Sequence, residues 1–241
     1  MEFGSEVFNG DYAEEMVRAQ ERIRARMAEI GPEAFEAERV AKRQRELDTA
    51  VRNKLVDGVR CMIGPRHADC AFDSFEVGDN NRLAYDRCRL LADSFSPGCK
   101  GVLLCGKNGI GKNHLAAAVA KAVAWKQAYV FYGSVTAIKN RIYDAMGSNL
   151  TAAVNSIMNA HLICINDLGA EQDTAFGREL MFHLIDRIYE KKAVLLATTN
   201  IADDKTLSNR YGKRVLSRLW ELCDVVVYDD RDHRVPRASL I

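Results

Sequence analysis

A glycine-rich segment that ends in a Gly-Lys pair carries the clearest chemistry in the chain. Residues 106–113 read Gly-Lys-Asn-Gly-Ile-Gly-Lys-Asn, which departs at one position from the phosphate-binding pattern G-x-x-x-x-G-K-[ST]. In that pattern backbone N–H groups and the next helix N-terminus bind a polyphosphate, and the lysine reaches its outer phosphates. The predicted nucleotide-binding residues are Gly106, Asn108, Gly109, Ile110, Gly111, Lys112, Asn113 and His114.

The departure falls on a residue that normally holds a metal ion. The Ser/Thr hydroxyl of the pattern ligates Mg²⁺, and Asn113 offers a neutral amide oxygen instead. A second polar pair, Asn166-Asp167, ends a later apolar run. A phosphate-loop protein needs carboxylates there to order Mg²⁺ and to polarise the attacking water. The pair therefore indicates the second half of a nucleotide site, with one carboxylate in place of two.

Composition limits the class of protein. The 241 residues include 34 Lys and Arg against 33 Asp and Glu, a net charge of +1, so a contact with DNA must come from a local patch. We expect a cytoplasmic protein without a membrane span, because no apolar run is long enough. The seven cysteines favour reduced thiols. Cys61, His67 and Cys70 leave a zinc site open as an alternative to ordinary packing.

Strand-like and helix-like segments alternate after about residue 70. Each strand pattern is a short apolar run, and helical patterns separate the runs, which predicts a parallel sheet covered by helices on both faces. The predicted strands are 101–105, 128–132, 161–165, 193–199 and 225–228, and the predicted helices include 81–95, 114–123, 135–146, 150–160 and 176–189.

The segment before the sheet is helical and charged. Apolar residues recur at three- and four-residue steps from Met16 to Ile30 and again from Leu47 to Val59, which is typical of two amphipathic helices. Their apolar faces must pack on the sheet domain or on a partner. We expect residues 1–5 to be a cloning remnant, residues 6–63 a helical partner-binding region, and residues 64–241 the nucleotide domain.

The order of these pieces resembles the bacterial helicase loaders of the DnaC/DnaI type, which are AAA+ ATPases, and their relative IstB. The resemblance covers about residues 65–236. It rests on the following segments: Phe72-Asp73-Ser74-Phe75, residues 106–114, Tyr132-Gly133-Ser134-Val135, residues 165–171, Ala197-Thr198-Thr199-Asn200, residues 214–219 and Asp232-His233-Arg234. It implies a five-stranded parallel AAA+ domain of the αβα type that binds ATP or ADP with Mg²⁺.

The resemblance also implies roles for single residues. Asn113 and Asn166 would occupy the two Mg²⁺ positions, and Asp167 would be the catalytic acid and a further metal contact. Asn200 would be sensor 1, and Arg234 sensor 2. Arg218 would be the arginine finger offered to a neighbouring copy in a homo-oligomer. Lys139 and Arg141 would contact single-stranded DNA, and the N-terminal helices would bind a replicative helicase of the DnaB type.

Three functions stay open on this basis. The first is an ATP-controlled loader of the replicative helicase. The second is a nucleotide-gated adaptor of the same fold that does not hydrolyse ATP, which the two asparagines favour because Mg²⁺ prefers charged oxygen ligands. Amide oxygens can also ligate hard cations, so ordinary hydrolysis remains an alternative. The third is a transposition helper ATPase of the IstB type.

Overall fold

A computed structural model describes residues 10–145, 154–155, 157–230 and 232–233. The chain divides into two compact units, residues 1–51 and residues 52–241. Among the described residues no helix is long and apolar enough to cross a membrane.

The first unit is helical. Helix α1 covers Gly10–Ile30, and α2 begins at Pro32 and ends at Ile63. Gly31 separates them with a φ of 83°, a conformation that favours glycine, and Pro32 suits the first turn of the next helix. The predicted break at Gly31-Pro32 is therefore present. Several apolar side chains of this unit are exposed: Met16, Val17, Ile23, Met27, Val40, Leu47 and Val51.

The second unit contains a sheet of five parallel strands. The strands are β1 Gly101–Cys105, β2 Val130–Ser134, β3 Leu162–Leu168, β4 Val194–Thr199 and β5 Cys223–Val227. Their order across the sheet is β2-β3-β4-β1-β5, and every neighbouring pair is parallel. The predicted α/β fold with a five-stranded parallel sheet is confirmed, and each predicted strand overlaps an observed one. The carboxyl ends of β3, β4 and β1 lie side by side at one edge.

Helices cover both faces of this sheet. They are α3 Arg82–Asp93, α4 Lys112–Trp125, α5 Val135–Ala145, α6 Ala175–Lys191, α7 Asp204–Tyr211 and α8 Lys213–Leu222. One buried cluster joins α3 and α4 to one face of the sheet. A second cluster joins the four helices α5, α6, α7 and α8 to the other face. Of the helix predicted for 150–160, residues 154–155 and 157–158 are helical, and residues 150–153 and 156 lie outside the described residues.

The end of α2 belongs to the sheet unit. Val59 and Ile63 are buried in the same cluster as α3 and α4, and Leu55 and Val56 pack against it. The compact units therefore divide after Val51, twelve residues before the predicted boundary at 63/64. The sequence could not show this boundary, because the apolar periodicity of α2 continues unchanged across Val51.

Candidate nucleotide site

The phosphate loop connects β1 to α4, as predicted. Gly111 caps α4 with a φ of 92°, in the left-handed region where a side chain is strained. A Cβ atom at this position would lie 2.7 Å from Cε2 of Phe75. Gly111 is therefore required both by the turn into the helix and by the close approach of Phe75, a residue outside the loop.

Lys112 begins α4 and points back into the loop. Its side chain is buried, with 5% of the residue exposed. The Nζ atom donates to the carbonyl oxygens of Gly106 (2.8 Å) and Lys107 (2.6 Å) and to Oδ1 of Asn200 (2.9 Å). The structure thus brings together the predicted phosphate lysine and the predicted sensor asparagine. Lys107, by contrast, is exposed and pairs with Asp229 at 2.7 Å.

Asn113 lies between the ends of β3 and β4. Its Nδ2 atom donates to both carboxylate oxygens of Asp167, at 3.3 and 3.2 Å. Its Oδ1 atom accepts a hydrogen bond from the Thr198 hydroxyl at 2.8 Å. The backbone N–H of Asp167 in turn donates to the same hydroxyl oxygen at 3.0 Å. The three residues form a closed ring of hydrogen bonds.

Asp167 is presented by an irregularity in β3. The pairing of β3 with β4 shifts register between Ile165 and Leu168, and Asp167 has a φ of 54°. Non-glycine residues in this region are uncommon and concentrate at functional sites. The bulge turns the Asp167 carboxylate towards Asn113 instead of continuing the strand, which the sequence alone does not reveal.

Asn166 is placed differently from its neighbour. It is buried, with 7% exposed, and its Oδ1 atom is inaccessible and has no hydrogen-bond partner among the described residues. Its side chain forms a hydrogen bond with Tyr132, which opposes the rise that burial causes in the pKa of that tyrosine. Of the two asparagines predicted at metal positions, Asn113 lines the cavity and Asn166 does not.

These residues do not fit a divalent cation as they stand. Mg²⁺ prefers charged oxygen ligands in octahedral geometry. Asp167 supplies the carboxylate among the described residues that line the cavity, and both of its oxygens already accept hydrogen bonds from Asn113. Within the described ranges no group of three or more His, Cys, Asp or Glu side chains could hold a metal ion. That finding also covers Cys61, His67 and Cys70, considered above for zinc.

A cavity of about 790 Å³ opens over the loop. This volume lies within the range typical of small-molecule and cofactor sites. Its lining residues come from the phosphate loop, from the ends of β3 and β4, and from two segments beyond them: Arg66, His67, Cys70, Asn108, Gly109, Gly111, Lys112, Asn113, His114, Asp167, Ala170, Asn200 and His233.

Three of these residues, Arg66, His67 and Cys70, were not predicted to belong to the nucleotide site, although His67 and Cys70 were considered for zinc. Arg66 and His67 belong to a short 3-10 turn, Pro65–His67, and Cys70 follows it. Lys121 of α4 donates to the Ala68 carbonyl at 2.6 Å and holds the turn on the domain. The mixture of Gly, Pro and polar residues is typical of a linker, so no local signal indicated a cavity wall.

His114 joins this wall to the phosphate loop. Its Nε2 atom lies 2.8 Å from the Ala71 carbonyl oxygen, and since a carbonyl only accepts, Nε2 carries the proton. The ring also packs edge-on against Phe75, with 5.2 Å between centroids. Burial raises the pKa of the nearby Cys70 thiol.

Of the two arginines predicted to act at the nucleotide, Arg218 is held by contacts within its own domain. Arg218 on α8 forms an ion pair with Asp186 of α6 and stacks over Tyr189 at 5.2 Å. Only 14% of its side chain is exposed, whereas 63% of the Arg214 side chain is exposed on the same helix. The role of Arg218 as an arginine finger stays a prediction. Arg234, predicted as sensor 2, lies outside the described residues.

The predicted DNA-binding residues lie on α5. Lys139 is half-buried and Arg141 is exposed, with its guanidinium 6.0 Å from the centre of the Phe131 ring. One turn further on, Tyr143 stacks on Phe176 of α6, with 4.8 Å between ring centroids, and Tyr143 is 47% exposed. The sequence reasoning named the two cations but not this aromatic pair.

Comparison with known proteins gives a consistent result. The family described as IstB-like ATP binding protein matches residues 13–237. The replicative helicase loader DnaC of Escherichia coli strain K12 is 24% identical over 164 residues, 66% of this chain and 66% of that protein. The match therefore spans slightly less than two thirds of that relative.

Solved structures share the fold. A crystal structure of the DnaC helicase loader superposes with a TM-score of 0.64 at 24% identity, covering 68% of this chain and 99% of that one. The replication initiator DnaA bound to AMPPCP and single-stranded DNA gives a TM-score of 0.60 at 17% identity, covering 70% and 51%. At these identities the likeness establishes the AAA+ type of fold.

Proposed function

Since the chain belongs to the family of IstB-like ATP binding proteins, we propose that it is a nucleotide-controlled helicase-loading factor. It binds ATP or ADP in the cavity over the phosphate loop and, under the control of that nucleotide, binds a replicative helicase of the DnaB type and single-stranded DNA. We expect this to take place in the cytoplasm, as the composition predicts. The proposal depends most on one observation, the burial of the Lys112 ammonium among loop carbonyls and Asn200 beside the cavity.

The position of Lys112 supports phosphate binding. A buried ammonium is costly unless hydrogen-bonded, and here two loop carbonyls and the Asn200 amide oxygen accept hydrogen bonds from it. A phosphate entering the loop can take the place of the carbonyl partners and add a charge–charge contact. Asn200, at the end of β4, then senses whether Lys112 has moved.

The surroundings of Asp167 do not favour rapid hydrolysis of ATP. Asp167 is the group that could take a proton from an attacking water, but the donor that faces its carboxylate is the Asn113 amide. The sequence predicts Mg²⁺ at this site, but the residues present do not fit it, and the proposed function does not include it. We therefore propose that the loading factor hydrolyses ATP slowly. Restoring Asn113→Thr and Asn166→Asp together should raise turnover, and equal rates would identify an ordinary ATPase.

The N-terminal unit supplies the surface for the helicase. Seven large apolar side chains of residues 16–51 are exposed, and exposed apolar surface is a common mark of protein–protein contact. DnaC, at 24% identity, is named as a replicative helicase loader. We assign the same kind of partner to this unit.

Assembly into a homo-oligomer brings a second copy to the nucleotide. Arg218 reaches a neighbouring site only after its ion pair with Asp186 opens, whereas Arg214 is already exposed. For single-stranded DNA, Lys139 and Arg141 supply charge, and the exposed face of Tyr143 supplies a surface on which a base can stack.

A capture experiment tests the proposal. The full chain is immobilised and offered purified replicative helicase with ATP, with ADP or without nucleotide, and Lys112→Ala serves as the control that cannot sense nucleotide. We expect capture that depends on the nucleotide in the wild type and not in the variant. Capture of a transposase instead of the helicase would favour the transposition helper, and nucleotide-independent capture would contradict the proposed control.

A further inference from the structure

The ring formed by Asn113, Thr198 and Asp167 determines which way the Asn113 amide points. Thr198 is fully buried; its hydroxyl accepts a hydrogen bond from the Asp167 N–H and donates its single proton to Asn113 Oδ1 at 2.8 Å. With the oxygen held by Thr198, the amide NH₂ faces the Asp167 carboxylate. The Asp167 backbone and the Thr198 hydroxyl together therefore fix the orientation of the Asn113 amide.

We propose that this ring takes the place of the divalent cation, so that the site binds adenine nucleotide in its metal-free form. The inference rests on the nucleotide binding proposed above and adds the chemical form of the ligand. It follows from the disagreement between the side chains present and the Mg²⁺ that the loop pattern predicts.

Reversing the Asn113 amide would not create a metal ligand at low cost. A reversed amide would place its oxygen against the Asp167 carboxylate and its NH₂ against the Thr198 hydroxyl, whose oxygen already accepts from the Asp167 N–H. The first contact is repulsive, and the second takes away the Asn113 Oδ1 acceptor of the buried Thr198 hydroxyl proton. The amide therefore presents its donors to Asp167.

The remaining predicted ligand cannot compensate. Asn166 Oδ1 is buried and does not open onto the cavity, so a cation next to Asp167 would find a single carboxylate. The Asn113 NH₂ occupies the space beside that carboxylate and stabilises its negative charge by hydrogen bonding. Phosphate charge is then balanced by Lys112, by the N-terminus of α4 and by Arg66 on the cavity wall.

The test measures affinity and not turnover. A fluorescent ADP analogue is titrated into the full-length protein with Mg²⁺ and, separately, with excess EDTA. We expect the wild-type Kd to differ by less than about threefold between the two buffers, whereas Asn113→Thr, which puts the hydroxyl of the loop pattern on the cavity wall, should bind about tenfold tighter with Mg²⁺, equivalent to about 1.4 kcal/mol.

Substitutions at Thr198 provide a second, independent test of the metal-free site. Thr198→Val removes the hydroxyl that orients the amide and should create a dependence on Mg²⁺, whereas Thr198→Ser keeps the hydroxyl and should behave as wild type. Thermal melts confirm that each variant is folded.

The outcomes separate this inference from the proposed function. Wild-type binding that is tenfold or more tighter with Mg²⁺ overturns the metal-free site and leaves nucleotide binding intact. Absence of binding in both buffers overturns the proposed function and this inference with it. Equal metal independence of the wild type and Asn113→Thr shows that the ring is not the cause and overturns the assignment to Asn113.

Discussion

At the scale of single residues, the two lysines of the phosphate loop form a natural contrast. Lys112 is buried and has its donors directed into the loop, while Lys107 is exposed and pairs with Asp229. We expect Lys112→Ala to weaken binding of a fluorescent nucleotide by about tenfold to a hundredfold, because a charge-assisted hydrogen bond contributes about 1.5–3 kcal/mol. Lys107→Ala is the matched control and should bind within about twofold of wild type, since an exposed ion pair contributes little. Equal loss in both variants would mean that general charge, and not a specific phosphate contact, governs affinity.

Cys70 offers a chemical probe of the same cavity. It lines the cavity, whereas Cys61 on α2 is exposed and outside the lining set. Bound nucleotide should slow alkylation of Cys70 by iodoacetamide at least about fivefold without affecting Cys61, as read by peptide mass spectrometry. Because burial raises the pKa of Cys70 and the thiolate is the reactive form, its labelling should keep rising as the pH passes 9. Protection of both cysteines, or of neither, would place the nucleotide elsewhere.

At the scale of elements, α5 combines cations with an exposed aromatic ring. Replacing Lys139 and Arg141 together by alanine should weaken binding of single-stranded DNA and reduce the salt dependence of log K by about 1.4, since each phosphate contact on a single strand contributes a slope of about 0.7. Lys54→Ala with Lys205→Ala, two exposed lysines outside α5, removes the same net charge and is the control. An unchanged affinity and salt slope in the α5 variant would remove these residues from the DNA site.

At the scale of the whole molecule, the position of the unit boundary determines where the chain can be cut. With the predicted boundary at 63/64, deletion through Val59 would leave the nucleotide domain folded, but Val59 is buried in the core of that domain. Deletion through Val51 should keep the melting temperature and nucleotide binding and abolish helicase binding. Deletion through Val59 should lower the melting temperature by about 3–12 °C, because burial of Val59 alone contributes about 1.5–3 kcal/mol.

The comparison of the two truncations separates stability from partner binding. Helicase binding that survives deletion through Val51 would place the partner surface on the sheet domain. Equal melting temperatures for the two truncated proteins would show that the last turns of α2 contribute no stability.

Much of this architecture could be predicted from the sequence, for a local reason. Apolar runs such as 101–105 separated by helical periodicity specify a parallel sheet wherever they occur, and a Gly-Lys pair after such a run specifies a phosphate loop. Both signals are contiguous in the chain. The fold class, the five strands and the position of Lys112 at the start of a helix follow from them.

The tertiary structure decided the features that depend on residues distant in sequence. The orientation of the Asn113 amide is set by Thr198 and Asp167, which lie 85 and 54 positions away, and Asp167 reaches it only through a bulge in β3. Asn166, one residue earlier, is buried beside Tyr132 and does not line the cavity. The cavity wall at Arg66 to Cys70 and the true end of the N-terminal unit are likewise products of packing. Local sequence determines which backbone conformations form, and only the assembled fold determines which side chains meet.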